Sequence, residues 1–358
     1  MIIPSDHIAI WALTAAGATL GRKIQAHFPG CRLFLGRRAA SAEDDGRFER
    51  LGDTLPQYFN RYSGHVFIMA TGIVVRSVAL LLRDKTEDPA IVVMDECGQH
   101  AISLLSGHLG GANALARRLG DCIGARPVIT TATDLQNVPA IDLIAQERGL
   151  AIENPAAIRH VSMALLEGQS ISLHDPQGCL AGALPEACLR SDASATGPDD
   201  GEGRKSCGPG IWVDDIRVDV PAEILLLRPA SLFVGVGCNR NTPASEIRDL
   251  MDRVLEQHGL APASVAGLAS IDLKADEEGL LELGRSLSRP LIFFSRDQLA
   301  LVPDVPSPSM VVEKHVGVKS VCEAAAILAS GNGQLIAPKQ TTPNVTIAIA
   351  RKSYTSSA

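Results

Sequence analysis

From residue 7 the chain alternates two hydrophobic patterns. HIAIWALT is an apolar run of strand length, AAGATLGRKIQAHF has the spacing of an amphipathic helix, and CRLFLG is a second strand. After the charged insert SAEDDGRFER come a helix over LGDTLPQYFNRY, the buried strand HVFIMATG, the helix IVVRSVALLL and the strand PAIVVMDE. The stretch LLSGHLGGANALARRLG then sets three glycines and a histidine between an apolar run and an amphipathic helix, and RPVITTATD closes the series as a strand. Val/Ile runs alternating with helices predict an α/β fold. Residues 1–135 should form a mostly parallel, doubly wound (Rossmann-like) sheet with both faces covered.

Past residue 135 the pattern changes. A helix pair and short strands, with IWVDD and EILLLRP last, predict a small α/β middle domain over 136–229. Its segment 190–210, RSDASATGPDDGEGRKSCGPG, is rich in Gly, Ser, Asp and Pro and reads as a flexible insert. SLFVGVGCNRNTPASEIRDLMDRVLEQHG opens a C-terminal α/β domain over 230–352, with Thr242 capping its helix and Pro243 in the first turn. QLIAPK and NVTIAIARK should pair antiparallel across TTP, making that sheet mixed.

Composition narrows the class. The 358 residues are 46% hydrophobic, enough for several cores, and the formal net charge of −7 offers no attraction to nucleic acid or an anionic membrane. No uncharged apolar run reaches spanning length, and MIIPSDHIAIWALT lacks the basic start of a signal peptide, so the expected address is the cytoplasm. The eight cysteines are never closer than nine positions, which excludes C-x-x-C pairs and leaves reduced thiols as the expectation. His100 and His108 lack supporting ligand spacing, so no metal site is expected.

In a parallel sheet, ligands gather outside the carboxyl ends of the strands. Thr14 and Gly17, Thr71 and Gly72, Asp95 and Glu96, and Thr130, Thr131, Thr133 and Asp134 all follow predicted strands, so one rim is the candidate site. Ser106, Gly107, Gly110, Gly111 and Asn113 frame a helix start whose free N–H groups suit an anion. The same glycines could simply make a tight turn. GHLGGAN matches neither G-x-G-x-x-G nor G-x-x-x-x-G-K-[ST], which counts against a nucleotide-linked oxidoreductase. His108, inside this turn, is placed for proton transfer near neutral pH, or to fasten the turn.

Residues 64–134, from GHVFIMATGIVVRSVALLL through LLSGHLGGANALARRLG to RPVITTATD, resemble the N-terminal region of the cobalt-precorrin-5A hydrolases of anaerobic cobalamin biosynthesis, the CbiG family. FVGVGCNRNT, ASIDLKADEEGL, LIFFS, VGVKSVCEAAAIL and APKQTTPNVTIAIAR resemble successive motifs of its C-terminal domain. The resemblance implies a hydrolase that opens the δ-lactone of a ring-contracted cobalt tetrapyrrole and releases acetaldehyde, giving cobalt-precorrin-5B. No cofactor is implied, because cobalt arrives inside the substrate. Neighbouring cobalamin-pathway enzymes are the candidate partners, and a corrinoid-binding or handover module without turnover is the alternative.

On that reading His108 is the expected base and Asp95 an orienting or alternative base, because Asp95 ends the strand taken as adjacent. N–H groups of the 107–111 turn would face the developing oxyanion. Arg76, Lys85 and the Gly110–Asn113 helix start would hold the substrate's carboxylates. In the C-terminal motifs Gly237, Thr242, Asp272, Lys274, Glu323 and Lys339 are the binding candidates, and Cys238 is read as a small packing residue rather than a nucleophile.

Overall fold

In the computed structural model the described residues are 3–40, 46–84, 87–136, 138–190, 208–302, 306 and 320–352. Internal contacts divide the chain into two compact units, Met1–Glu147 and Arg148–Ala358.

The first unit contains strands Ile8–Ala12 (β1), Arg32–Gly36 (β2), Arg47–Phe48 (β3), Gly64–Ile68 (β4), Ala90–Met94 (β5), His100–Leu105 (β6) and Arg126–Val128 (β7). They form a seven-stranded sheet ordered β3-β2-β1-β4-β5-β6-β7. Its helices are Ala15–His27 (α1), Leu51–Tyr58 (α2), Thr71–Val78 (α3), Ala112–Ile123 (α4), Ala132–Leu135 (α5) and Ile141–Glu147 (α6). Alternation along β1 separates two cores. Ile8, Ile10 and Ala12 pack with Ala18 and Ile24 of α1 and Leu115 and Leu119 of α4. Ala9 and Trp11 pack with Leu55 of α2 and Val74 and Val78 of α3. Helices on both faces bury every residue of β1, β4 and β5, which explains their uninterrupted apolar runs.

The directions of the strands amend the expected single rim. β1, β2, β3, β4 and β5 run parallel, but β6 is antiparallel to β5, and β7 is parallel to β6. Only residues 95–99 separate β5 from β6, too few for a crossover, so the chain turns back as a hairpin. Leu105 therefore pairs with Ile91 at the start of β5, and a bulge at Leu104 sits between the Ile91–Leu105 and Val92–Ser103 pairs. Thr14, Thr71, Asp95 and Glu96 lie at the carboxyl ends of the parallel strands. The glycine turn and Thr130–Asp134 lie at the opposite rim.

The second unit contains two sheets. Leu150–Ile152 (β8), Ser172–His174 (β9), Gly210–Val213 (β10) and Ile224–Pro229 (β11) are ordered β8-β11-β10-β9, with β8 antiparallel to β11, and Ile158–Leu166 (α7) packs its buried face nearby. Leu232–Cys238 (β12), Val265–Ile271 (β13), Leu291–Phe294 (β14), Gln334–Thr341 (β15) and Val345–Arg351 (β16) are ordered β14-β13-β12-β16-β15. β16 is antiparallel to both neighbours, so this sheet is mixed. Its helices are Ala244–Gln257 (α8), Glu278–Leu287 (α9), Arg296–Ala300 (α10) and Val321–Ala329 (α11). Asp215, wholly buried, accepts two hydrogen bonds from Arg351, at 2.8 and 2.6 Å, and one from Ser231 at 2.6 Å. No helix among the described residues is long and apolar enough to cross a membrane.

Candidate functional site

The turn between β6 and α4 is closed by its own backbone. Ser106 adopts a left-handed φ of 57°, and Gly111, also left-handed at 87°, is the residue before α4. A Cβ on Gly110 would lie 2.3 Å from that of Ser106, so the turn admits no side chain there. The N–H groups of Gly111, Ala112 and Asn113 donate to the carbonyls of His108, Ser106 and Gly107. Those three donors hold the turn. The helix start is therefore not the open anion cradle expected from the sequence.

What the turn does present is His108. Its Nε2 lies 3.1 Å from Oδ2 of Asp134 and 3.1 Å from the hydroxyl of Thr133, and its Nδ1 lies 3.5 Å from Oδ2 of Asp142. The interaction of the ring N–H with the Asp142 carboxylate, which accepts, raises the His108 pKa most; burial opposes it, and Asp134 adds to the rise. Burial pushes Asp134 the other way, but Arg117 and His108 outweigh it and hold that carboxyl below its ordinary range. Asn113, nearly buried, donates to Asp134 at 2.8 Å and Thr131 at 3.2 Å, and accepts from Ser103 at 2.6 Å. Arg117, one turn further along α4, pairs with the other oxygen of Asp134. Ser103, His108, Asn113, Thr131, Thr133, Asp134 and Asp142 thus form one connected network that joins β6, the glycine turn, α4, α5 with the residue before it, and α6.

Asp95 is not part of it. Its carboxylate accepts the N–H groups of Cys97 at 2.9 Å, Gln99 at 3.2 Å and His100 at 2.7 Å, tying the β5–β6 hairpin. Burial pushes its pKa up, but these three donors outweigh that and make it a weaker base than an ordinary aspartate. Asp95 and His108 stand at opposite ends of the hairpin, about 15 Å of strand apart. The expected orienting contact between them is therefore corrected: a hairpin carries its turn away from its two outer ends.

Asp95 instead borders a cavity of about 380 Å³ with Thr71, Glu96 and His100, floored by Met69, Val93, Met94 and Ile102. Thr14 donates to Glu96 beside it at 2.8 Å. Gly72, the second residue of α3, accepts at its carbonyl from Arg76 within that helix at 3.0 Å. Thr130 is exposed after β7, and Lys85 lies outside the described residues.

In the second unit the residues after β12 and β13 form an ion-pair cluster. Glu277, 3% exposed, accepts the N–H of Asn241 at 2.6 Å, and its other oxygen lies 3.6 Å from both Arg240 and Lys274. Arg240 also pairs with Asp276. Lys274 thus pairs with Glu277 rather than with Asp272, which is exposed. Thr242 does not cap α8: its hydroxyl donates back to Asn239 at 2.9 Å and Pro243 takes the cap position, because the turn ends one residue later than expected. Burial raises the Cys238 thiol pKa, as suits a packing residue rather than a nucleophile. Gly237 accepts from Thr346 at 3.3 Å across β12 and β16. Glu323, wholly buried in the first turn of α11, accepts the Lys339 N–H at 3.1 Å and ties the helix to β15.

Sequence reading missed Asp142, Arg117, Arg240 and Glu277. Asp142 lies 34 positions from His108, yet AIDLI sets one carboxylate among apolar residues, a signal that it is buried with a partner.

Three family models match in chain order: Cobalamin synthesis G N-terminal over 53–134, Cobalamin biosynthesis central region over 139–229, and Cobalamin synthesis G C-terminus over 232–350. A protein of Salmonella typhimurium named cobalt-precorrin-5A hydrolase is 35% identical over 356 residues, covering 97% of this chain and 98% of that one. One of the same name from Priestia megaterium is 34% identical, covering 84% of this chain and 81% of that one. Protein CobE of a Sinorhizobium species is 33% identical over 123 residues, which is 34% of this chain and 80% of its own.

Proposed function

The chain belongs to the CbiG family of cobalamin-synthesis proteins, and from that premise we propose that it is a cobalt-precorrin-5A hydrolase. The observation that carries this reading is the end-to-end likeness, over 97% of the chain, to a protein of that name. The resemblance supplies the chemistry: water opens the δ-lactone of a cobalt tetrapyrrole, and the freed alcohol then loses acetaldehyde as its carbon–carbon bond to the macrocycle breaks.

His108 is the group this reading assigns to proton transfer. It is a titratable side chain on a constrained turn, held by carboxylates on two other elements, which fixes the ring orientation that proton transfer requires. Asp134, Asp142 and Thr133 hold the ring, Asn113 holds Asp134 in turn, and Arg117 is a candidate cation for the substrate's carboxylates. A cytoplasmic address, neighbouring pathway enzymes as partners, and no cofactor apart from the cobalt carried by the substrate belong to the same proposal.

The test is anaerobic incubation of the purified chain with the cobalt lactone and no nucleotide. Equimolar acetaldehyde and a ring-opened product are expected. Tight corrinoid binding without aldehyde would replace this reading with the handover module.

A further inference from the structure

Both ring nitrogens of His108 face carboxylate oxygens, Nε2 towards Asp134 at 3.1 Å and Nδ1 towards Asp142 at 3.5 Å. A carboxylate can only accept, and a neutral imidazole has one N–H and one lone pair, so the neutral ring would set its lone pair against an anion. Thr133 could donate to Nε2 in the neutral ring, but Asp134 would still lie at the same distance from that nitrogen. The charged ring satisfies both sides. Asp142 is 8% exposed and anchored by the Leu143 N–H on its other oxygen at 3.0 Å, which fixes it facing the ring.

We propose that Asp142 is a positioning residue that, with Asp134, keeps His108 doubly protonated, so that His108 acts as the acid of lactone opening rather than its base. This rests on His108 being the proton-transfer group assigned above. As water's oxygen bonds to the lactone carbonyl carbon, the bond from that carbon to the ring oxygen breaks. The ring oxygen keeps the electron pair and takes a proton from the imidazolium, and the proton shed by water restores the ring. No other reactant is consumed.

The charged groups facing His108 are Asp134, on α5, and Asp142, on α6, with Arg117 of α4 behind Asp134. Asp142→Asn keeps an acceptor for Leu143 but removes the charge; Asp142→Glu restores it. The imidazole resonance of His108, identified by its loss in His108→Gln, is titrated in the full-length chain beside single-turnover ring opening across pH. The wild type should titrate above the ordinary histidine value and lose rate as pH rises through that midpoint. Asp142→Asn should move both the titration and the alkaline limb to lower pH, and Asp142→Glu should restore both. An unmoved titration in Asp142→Asn overturns the proposal. So does a moved titration with an unmoved alkaline limb. If the wild type releases no acetaldehyde at all, the family activity has failed instead, and the titration alone still decides whether Asp142 sets the charge.

Discussion

Trp11 donates its indole N–H to Nδ1 of His65 at 3.0 Å in the interior of the first sheet. The opposite ring nitrogen of His65 donates to the carbonyl of Phe59 at 3.0 Å, so the ring is held neutral with both nitrogens satisfied. Burial drives its pKa down to about 4 from 6.5, against the smaller opposing effect of that carbonyl. An unfolded chain would protonate His65 near the ordinary value, so stability is present above that value and is lost as pH falls towards 4. The loss should reach roughly 3 kcal/mol from this group. Thermal melts between pH 7 and 4 should show it, and His65→Gln should flatten the dependence while lowering stability at pH 7.

His108→Ala should slow the chemical step by about a hundredfold to ten-thousandfold with substrate affinity nearly intact. Single-turnover rates beside equilibrium binding check this. Equal loss of binding and melting temperature would mean that the imidazole only fastens the turn.

Gly110→Ala places a methyl against Ser106 at the 2.3 Å contact described above, so the turn must open. Destabilisation of about 1–3 kcal/mol is expected, with loss of turnover because His108 moves with its backbone. Denaturant midpoints and the aldehyde assay report the two effects separately.

Asp95→Ala should do the reverse of His108→Ala. Removing the acceptor for three hairpin N–H groups should cost about 1–2 kcal/mol, and ring opening per folded molecule should stay near wild type. A large fall in single-turnover rate without a change in melting temperature would return Asp95 to the chemistry.

Most elements were legible because each run had one period and clear stops: Thr14 before α1, whose hydroxyl accepts the Gly17 N–H, and the left-handed Gly124 after α4. β6 was harder, since HAISLL follows a polar turn and its direction is not written in its composition. The five residues between it and β5 were the usable clue, too short for any parallel return. Without that step, residues from opposite rims fall on one. The glycine turn and His108 were visible as chemistry; their partners were not, because Asp134 and Asp142 reach the ring through tertiary packing across 26 and 34 positions that no local pattern encodes.

The bulge at Leu104 makes the count of residues between the hairpin and the glycine turn a matter of parity. Side chains on a strand alternate faces, and the extra residue resets that alternation just before Ser106. Deleting Leu104 would only remove the bulge: Leu105 would still lie opposite Ile91, and it and everything leaving the strand would keep their faces. Deleting a second residue would slip the register by one, shorten the arm by about 3 Å more and invert those faces. Loss of the bulge residue should therefore be tolerated, whereas the next deletion would aim an intact His108 away from both of its carboxylates.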